Sequence, residues 1–341
     1  MPKKLLWMLC LLICLSGRTS SQTPDSEGSL VKWMSLDEAM AQVKSAPKPM
    51  IIDFYTDWCG WCKKMMRTTY ADPNLSQYIN TYFYPVKFNA EGKDTIEFLG
   101  ETYAPVSDQP RTTHPLAAKL LLDKLMYPST LFLNGYDAQA PDFKMKMIAN
   151  GFLEAPNIEP ILIFILENAG RNASYDEFNK NYTKAFRSNE ELPAIQWLSP
   201  ASLDTIKRKS MVFINTDWCN SCKVMKRTSF SDSLTSSYIH ENFELIDFDP
   251  QSTDTILFNN QTYINPQSQT MQIHQLAFML GRNSMVLPSL IVLDENKKVI
   301  DVISSYVSPP FLNDIAHFYG SDAYLKKSWE EYVKSVRAQS N

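Results

Sequence analysis

Short apolar runs alternate with polar stretches along this chain, and each run has a length and period that name an element. Ser35 reads as a helix cap with Glu38 three residues on to complete a capping box, so a helix is expected to about Lys44, where Pro47 and Pro49 end it. Met50 to Tyr55 is apolar apart from Asp53 and reads as a short buried strand. A helix is expected next, through Met65, Met66 and Arg67 towards Tyr70, with a further helical piece near Leu75 to Tyr82. Phe83 to Phe88 alternates as a strand does, Thr95 to Phe98 begins another ordered piece, and residues 104–113 form a Pro-containing loop. An apolar-faced helix from His114 to Leu121 feeds a strand that begins at a proline, Tyr127 to Leu133. Phe143 to Ile148 makes a last strand, Pro156 to Leu166 a core helix, and Tyr175 to Phe186 a terminal amphipathic one.

The pattern then restarts. Trp197 and Ser199 repeat Trp33 and Ser35, and from about residue 50 to residue 133 the two copies align without a gap at a spacing of 160 positions. Arg67 falls on Arg227, Asp72 on Asp232, Phe83 on Phe243, Tyr103 on Tyr263, His114 on His274 and Pro128 on Pro288. Matches at that density mark an internal duplication. Two domains are therefore expected, at residues 31–186 and 197–341, joined by a charged linker at 187–196.

Composition agrees with this division: 341 residues give two domains of roughly 150 residues each, and a hydrophobic fraction of 44% lets each bury a core. A formal net charge of −4 gives no sign of a basic nucleic-acid surface, so nucleic acid is not an expected partner. The N-terminus changes the picture more. Lys3 and Lys4 precede an apolar run from Leu5 to Leu15, followed by small and polar residues, which reads as an export signal over residues 1–21 with cleavage near Ser21. That run is shorter than the roughly 20 residues a membrane span needs. A lipid-modified Cys14 is the rival reading, disfavoured by Ile13 where a small residue is wanted; residues 22–30 read as a polar tether. The expected location is exported, periplasmic or secreted.

Of six cysteines, Cys10 and Cys14 leave with such a signal, and Cys59, Cys62, Cys219 and Cys222 remain. Disulfides persist outside the cytosol, but a stabilising framework joins distant segments, and closing so small a loop removes little unfolded-state entropy. Reactivity is the better reason for these sulfurs. A Cys-X-X-Cys at a strand-to-helix junction places its first sulfur among the unpaired amides of the helix N-terminus, where the helix dipole favours the nucleophilic thiolate. The second sulfur lies one turn on, within reach of the mixed disulfide. Zinc is the other chemistry of cysteine pairs, but pairs 160 residues apart, each inside its own complete domain, do not make one metal site. No metal and no cofactor are expected.

The motifs Asp57-Trp58-Cys59-X-X-Cys62-Lys63 with Tyr127-Pro128-Ser129, and Asp217-Trp218-Cys219-X-X-Cys222-Lys223 with Leu287-Pro288-Ser289, resemble those of the thioredoxin-like family. The resemblance covers nearly all of the chain after the signal and implies an α/β fold: two tandem thioredoxin-like folds, each a central mixed sheet flanked by helices. It implies that Cys59 attacks and Cys62 resolves, with Cys219 and Cys222 in the same roles. Pro128 and Pro288 would be cis and lie against the sulfurs, with Tyr127 and Leu287 before them binding an extended client segment beside Trp58 and Trp218. Extra residues before the His-containing helix suggest the exported bacterial branches of the family.

Asp53 matches the family's buried acid, which moves the proton of the resolving cysteine, and desolvation there raises a carboxyl's pKa. Its counterpart Phe213 carries no proton, so the second pair is expected to resolve more slowly. Gly60-Trp61 against Asn220-Ser221 implies two different reduction potentials. His114 and His274 read as helix-start residues. The expected activity is a protein thiol-disulfide oxidoreductase acting on disulfide-bonded client proteins, as a reductase, with electrons from a membrane thiol-reductant donor. A client-binding or chaperone-like module with inert disulfides, or one catalytic domain joined to one docking domain, stands as the alternative.

Overall fold

The computed structural model describes residues 28–189, 195–267 and 272–339. The expected signal with Cys14, most of the expected tether, and part of the expected linker lie outside these residues. The first copy runs α1 (Leu36–Ser45), β1 (Met50–Tyr55), α2 (Gly60–Arg67), α3 (Pro73–Tyr82), β2 (Tyr84–Asn89), β3 (Ile96–Phe98), β4 (Glu101–Tyr103) and α4 (Pro115–Leu120). It continues through β5 (Ser129–Asp137), β6 (Asp142–Asn150), α5 (Ala155–Leu166) and α6 (Tyr175–Arg187).

β1 is central because it is apolar on both faces: Ile51 joins one cluster with Met65, Ile79 and Phe132, while Met50, Ile52 and Phe54 join another with Val43, Val86 and Leu116. Helices therefore cover both sides of a four-stranded mixed sheet of order β2-β1-β5-β6. β1 pairs parallel with β2 and antiparallel with β5, a register that sets Asp53 opposite Lys87 on one side and Thr130 on the other. Ser35 caps α1 through the expected box with Glu38, and Leu36, Ala39, Met40 and Val43 bury its apolar face.

The second copy opens differently. Ser199 caps only a single 3-10 segment, Pro200–Asp204, where Ser35 caps a helix of 10 residues. Ser202 stands where Glu38 completed the box, and the stretch from Ser199 to the next strand is shorter by about one helical turn. The rest follows the first: β7 (Ser210–Ile214), α7 (Asn220–Arg227), α8 (Ser233–Asn242), β8 (Glu244–Phe248), β9 (Ile256–Phe258), β10 (Gln261–Tyr263) and α9 (Gln275–Leu280). β11 (Ser289–Leu293), β12 (Val299–Ser304), α10 (Pro309–Gly320) and α11 (Trp329–Gln339) complete it around a sheet of order β12-β11-β7-β8.

The β5–β6 hairpin is longer than β11–β12, 9 residues a strand against 5 and 6, so after it the copies are no longer 160 apart. The junction beyond is still equivalent: the Gly151 amide donates to the Pro128 carbonyl and the Ser305 amide to the Pro288 carbonyl, both at 2.8 Å. The two halves share one apolar cluster, in which Phe178 of α6 meets Tyr306 edge-on with ring centroids 5.1 Å apart. Among the described residues no helix is long and apolar enough to cross a membrane.

Candidate redox site

β1 carries the chain to one end of the sheet, where it turns through Asp57 and Trp58 into α2. Cys59 is the N-cap of that helix: its Sγ accepts from the Cys62 amide at 3.1 Å, and the two sulfurs form a disulfide. The free amides of the first turn surround this sulfur, which is the placement that favours a thiolate once the bond is reduced. Tyr55 and Tyr127 pack on the sulfurs. The peptide bonds Tyr127–Pro128 and Leu287–Pro288 are cis, and each leads directly into a central strand, β5 or β11.

Large apolar side chains rim the first pair. Trp58 and Trp61 are 56% and 57% exposed, and Leu125 and Met126 are exposed beside Tyr127 in the chain. Trp58 donates through Nε1 to the Glu91 carboxylate at 3.0 Å and stands edge-on to Tyr127, with Arg111 over its ring at 5.6 Å. Trp61 leans on Phe152 at 5.5 Å under the Lys64 ammonium.

Asp53, in the middle of β1, is fully buried and forms an ion pair of 2.7 Å with the buried Lys87. The Tyr70 hydroxyl is 3.4 Å from its other oxygen. Burial pushes the Asp53 carboxyl up from the ordinary carboxylate range, and the Lys87 charge and hydrogen bond pull against that rise.

The second copy repeats the sulfur geometry and changes its surroundings. Cys219 caps α7 by accepting from the Cys222 amide at 3.2 Å, the pair is again a disulfide, and Trp218 is exposed with Nε1 on Gln251 at 2.9 Å. Phe213 packs between Trp197 and Phe230 where the first copy has Asp53. The charges have exchanged places. Asp247 occupies the position of Lys87, and its partner Lys226, 2.7 Å away on α7, that of Met66; both are about one-third exposed.

Ser221, the counterpart of exposed Trp61, is fully buried beneath the end of α5. There Glu167 accepts from the amides of Asn220 at 3.1 Å and Ser221 at 2.8 Å and from the Ser221 hydroxyl, and its Oε2 lies 3.7 Å from the Cys219 sulfur. The two rows of sulfurs thus face different surroundings: one an open aromatic rim, the other the first half of the chain.

His114 and His274 cap α4 and α9. Each Nδ1 accepts from the amide two residues on, at 3.2 and 3.1 Å, which leaves Nε2 to donate to the carbonyls of Asp94 and Asp254 at 3.0 Å. Neither stands at the sulfurs' helix. Among the described residues no group of three or more His, Cys, Asp or Glu side chains is placed to hold a metal ion.

Two residues of these sites escaped the sequence reading. Lys87 had a signal, a lone cation in an alternating apolar run, which only the strand register aligns with Asp53. Glu167 had none, because its partner lies 54 residues further on.

Comparison with known proteins agrees with this geometry. The family model for thioredoxin-like domains matches residues 36–137. The thiol:disulfide interchange protein DsbD of Salmonella typhimurium is 45% identical over 120 residues, which are 35% of this chain and 17% of that protein. DsbD of Vibrio vulnificus is 36% identical over 67 residues, 19% of this chain and 11% of that one. The chain therefore spans only about a tenth to a sixth of the length of these relatives. Among solved structures, a thioredoxin from Thermus thermophilus is 16% identical with a TM-score of 0.28, covering 39% of this chain and 84% of its own. The C-terminal domain of Neisseria meningitidis DsbD is 20% identical with a TM-score of 0.25, covering 38% and 93%.

Proposed function

We propose that this chain, which carries a thioredoxin-like domain at residues 36–137, is an exported protein thiol-disulfide oxidoreductase that reduces client disulfides at Cys59 and Cys62. The observation that carries the reading is a Cys59–Cys62 disulfide at a helix N-terminus, beside a cis Tyr127–Pro128 bond and inside an exposed aromatic rim. In the reduced protein the Cys59 thiolate attacks one sulfur of a client disulfide, and the other client sulfur leaves as a thiolate. Cys62 then gives its proton to Asp53 and attacks Cys59, which breaks the mixed disulfide and releases the second client thiol. Two electrons pass to the client and the Cys59–Cys62 disulfide is left. A membrane dithiol donor outside this chain re-reduces it.

Trp58, Tyr127 and Pro128 form the client-binding edge, with Trp218, Leu287 and Pro288 as their counterparts in the second copy. The burial of Ser221 favours a division of labour in which the first domain meets clients. The test uses the full chain with its first pair reduced, mixed with a disulfide-bonded protein such as insulin. Reduction of about one client disulfide per reduced first pair is expected in Cys219→Ser/Cys222→Ser, a trapped mixed disulfide in Cys62→Ser, and neither in Cys59→Ser. No client reduction by the wild type, together with no trapped adduct, makes the pairs inert staples.

A further inference from the structure

We infer that Glu167 is a positioning residue that closes the second redox site: the first domain sits on Cys219 and Cys222 through this carboxylate, which shields the pair from protein clients and suppresses the Cys219 thiolate. Four observations converge on this. Glu167 takes the Asn220 and Ser221 amides, which belong to the helix end that would stabilise a thiolate on Cys219. Its Oε2 is 3.7 Å from the Cys219 sulfur, so in the reduced state a thiol there is favoured as a donor and a thiolate is repelled by a like charge.

The seating extends beyond that carboxylate. The Ser305 hydroxyl donates to the Asn168 carbonyl at 2.7 Å, and Asn172 donates through Nδ2 to the Ser304 carbonyl at 2.8 Å, so the segment after Glu167 is bonded to the strand end next to the second cis proline loop. Finally, the residue between the cysteines fits its surroundings in each copy. Trp61 is 57% exposed in the first, whereas in the second Ser221 is 0% exposed, and an indole there would need the space the first domain fills.

Around Glu167 the charge balance is local. Burial pushes its carboxyl up from the ordinary range, while its hydrogen bonds from Ser221 and Asn220 and the Lys223 charge on α7 pull against that rise, and Tyr78 on α3 faces it. Two anions at one buried helix end compete for the same amides, and the sulfur loses. Electrons would then enter and leave mainly at Cys59, with the second pair reachable only when the first domain moves off it. The inference concerns the second pair by itself and does not require the first to be a reductase.

The experiment uses the full chain with Cys59→Ser/Cys62→Ser, so that only the second pair is read. Glu167→Gln keeps the size of the side chain and removes its charge. Removing a like charge in contact shifts a pKa by about one unit or more, so the alkylation rate of reduced Cys219 against pH should move down by about one pH unit. At a pH above the Cys219 pKa, where the reduced pair carries the thiolate, the thiol-disulfide equilibrium should shift about tenfold towards the dithiol, equivalent to a potential about 30 mV more oxidising. Ser221→Trp, which installs the first copy's residue, should speed reduction by a folded protein dithiol at least tenfold while reduction by a small phosphine changes little. A folded Glu167→Gln protein with the wild-type pH profile and potential overturns the inference. So does a wild-type second pair that a protein dithiol reduces as readily as it reduces the first pair in Cys219→Ser/Cys222→Ser.

Discussion

Replacing Lys87 by Met leaves Asp53 alone in a site where both side chains are at most 1% exposed and were 2.7 Å apart. An isolated carboxylate there takes a proton rather than stay charged. Protonating at pH 7 an acid whose unfolded pKa is about 3.9 costs about 4 kcal/mol, at about 1.4 kcal/mol per pH unit, which bounds the loss from the charge. The sign follows from proton counting. The folded carboxyl then titrates well above the unfolded one, so the unfolded chain releases a proton the folded chain keeps. Stability falls as pH rises above about 4, by up to about 1.4 kcal/mol per unit, and the loss vanishes below it.

Asp53→Asn leaves the buried Lys87 ammonium without its counter-charge, and breaking a buried pair from one side costs about 3 to 5 kcal/mol. The double variant should lie near the wild type at every pH, because apolar or neutral replacements of a buried ion pair are often neutral or stabilising. Urea denaturation of all four proteins between pH 4 and pH 10 measures this directly. A loss in Lys87→Met that does not change with pH, or a double variant no more stable than the single ones, would refute the buried pair as the source of the energy.

Two further expectations concern helix ends. Asp72 and Asp232 cap α3 and α8 by accepting from the Leu75 and Thr235 amides at 2.8 and 3.1 Å; either changed to Ala should cost about 1 kcal/mol in urea midpoint experiments, and no loss at Asp72 would remove it as a cap. Burial lowers the His274 imidazole below its usual range, so the unfolded chain binds a proton the folded one refuses. Stability should fall as pH drops below about 6.5, by up to about 1.4 kcal/mol per unit from this group. His274→Asn, which keeps an acceptor at the cap, should remove that part of the slope between pH 7.5 and pH 5.5, and an identical slope in the variant would contradict it.

The sequence by itself determined everything that depends on neighbours in the chain. The Cys-X-X-Cys spacing, the strand before it, the capping box at Ser35 and Glu38, the prolines opening the later strands and the duplication all act within a few residues of one another or by simple repetition. Their geometry appears as the capped α1 and the sulfur-capped α2 and α7, while the cis bonds and the mixed sheets were implied only by the family resemblance. Helix ends, with their caps and dipoles, are local physics.

Tertiary structure decided what is done with them. Asp53 was visible as an odd charge in an apolar strand, but its partner Lys87 is set by the parallel register of β1 and β2. The second copy carries an acid and a lysine at the Lys87 and Met66 positions, a rearrangement that reads as scattered charge until Lys226 and Asp247 are seen 2.7 Å apart. Glu167 resembles any polar residue ending an apolar helix until that end comes to rest on Asn220 and Ser221. Each of these contacts joins elements whose faces meet only after the cores have formed. For the Asp53–Lys87 pair the energy comes from burial and from the low-dielectric surroundings that burial creates, and no spacing along the chain encodes that.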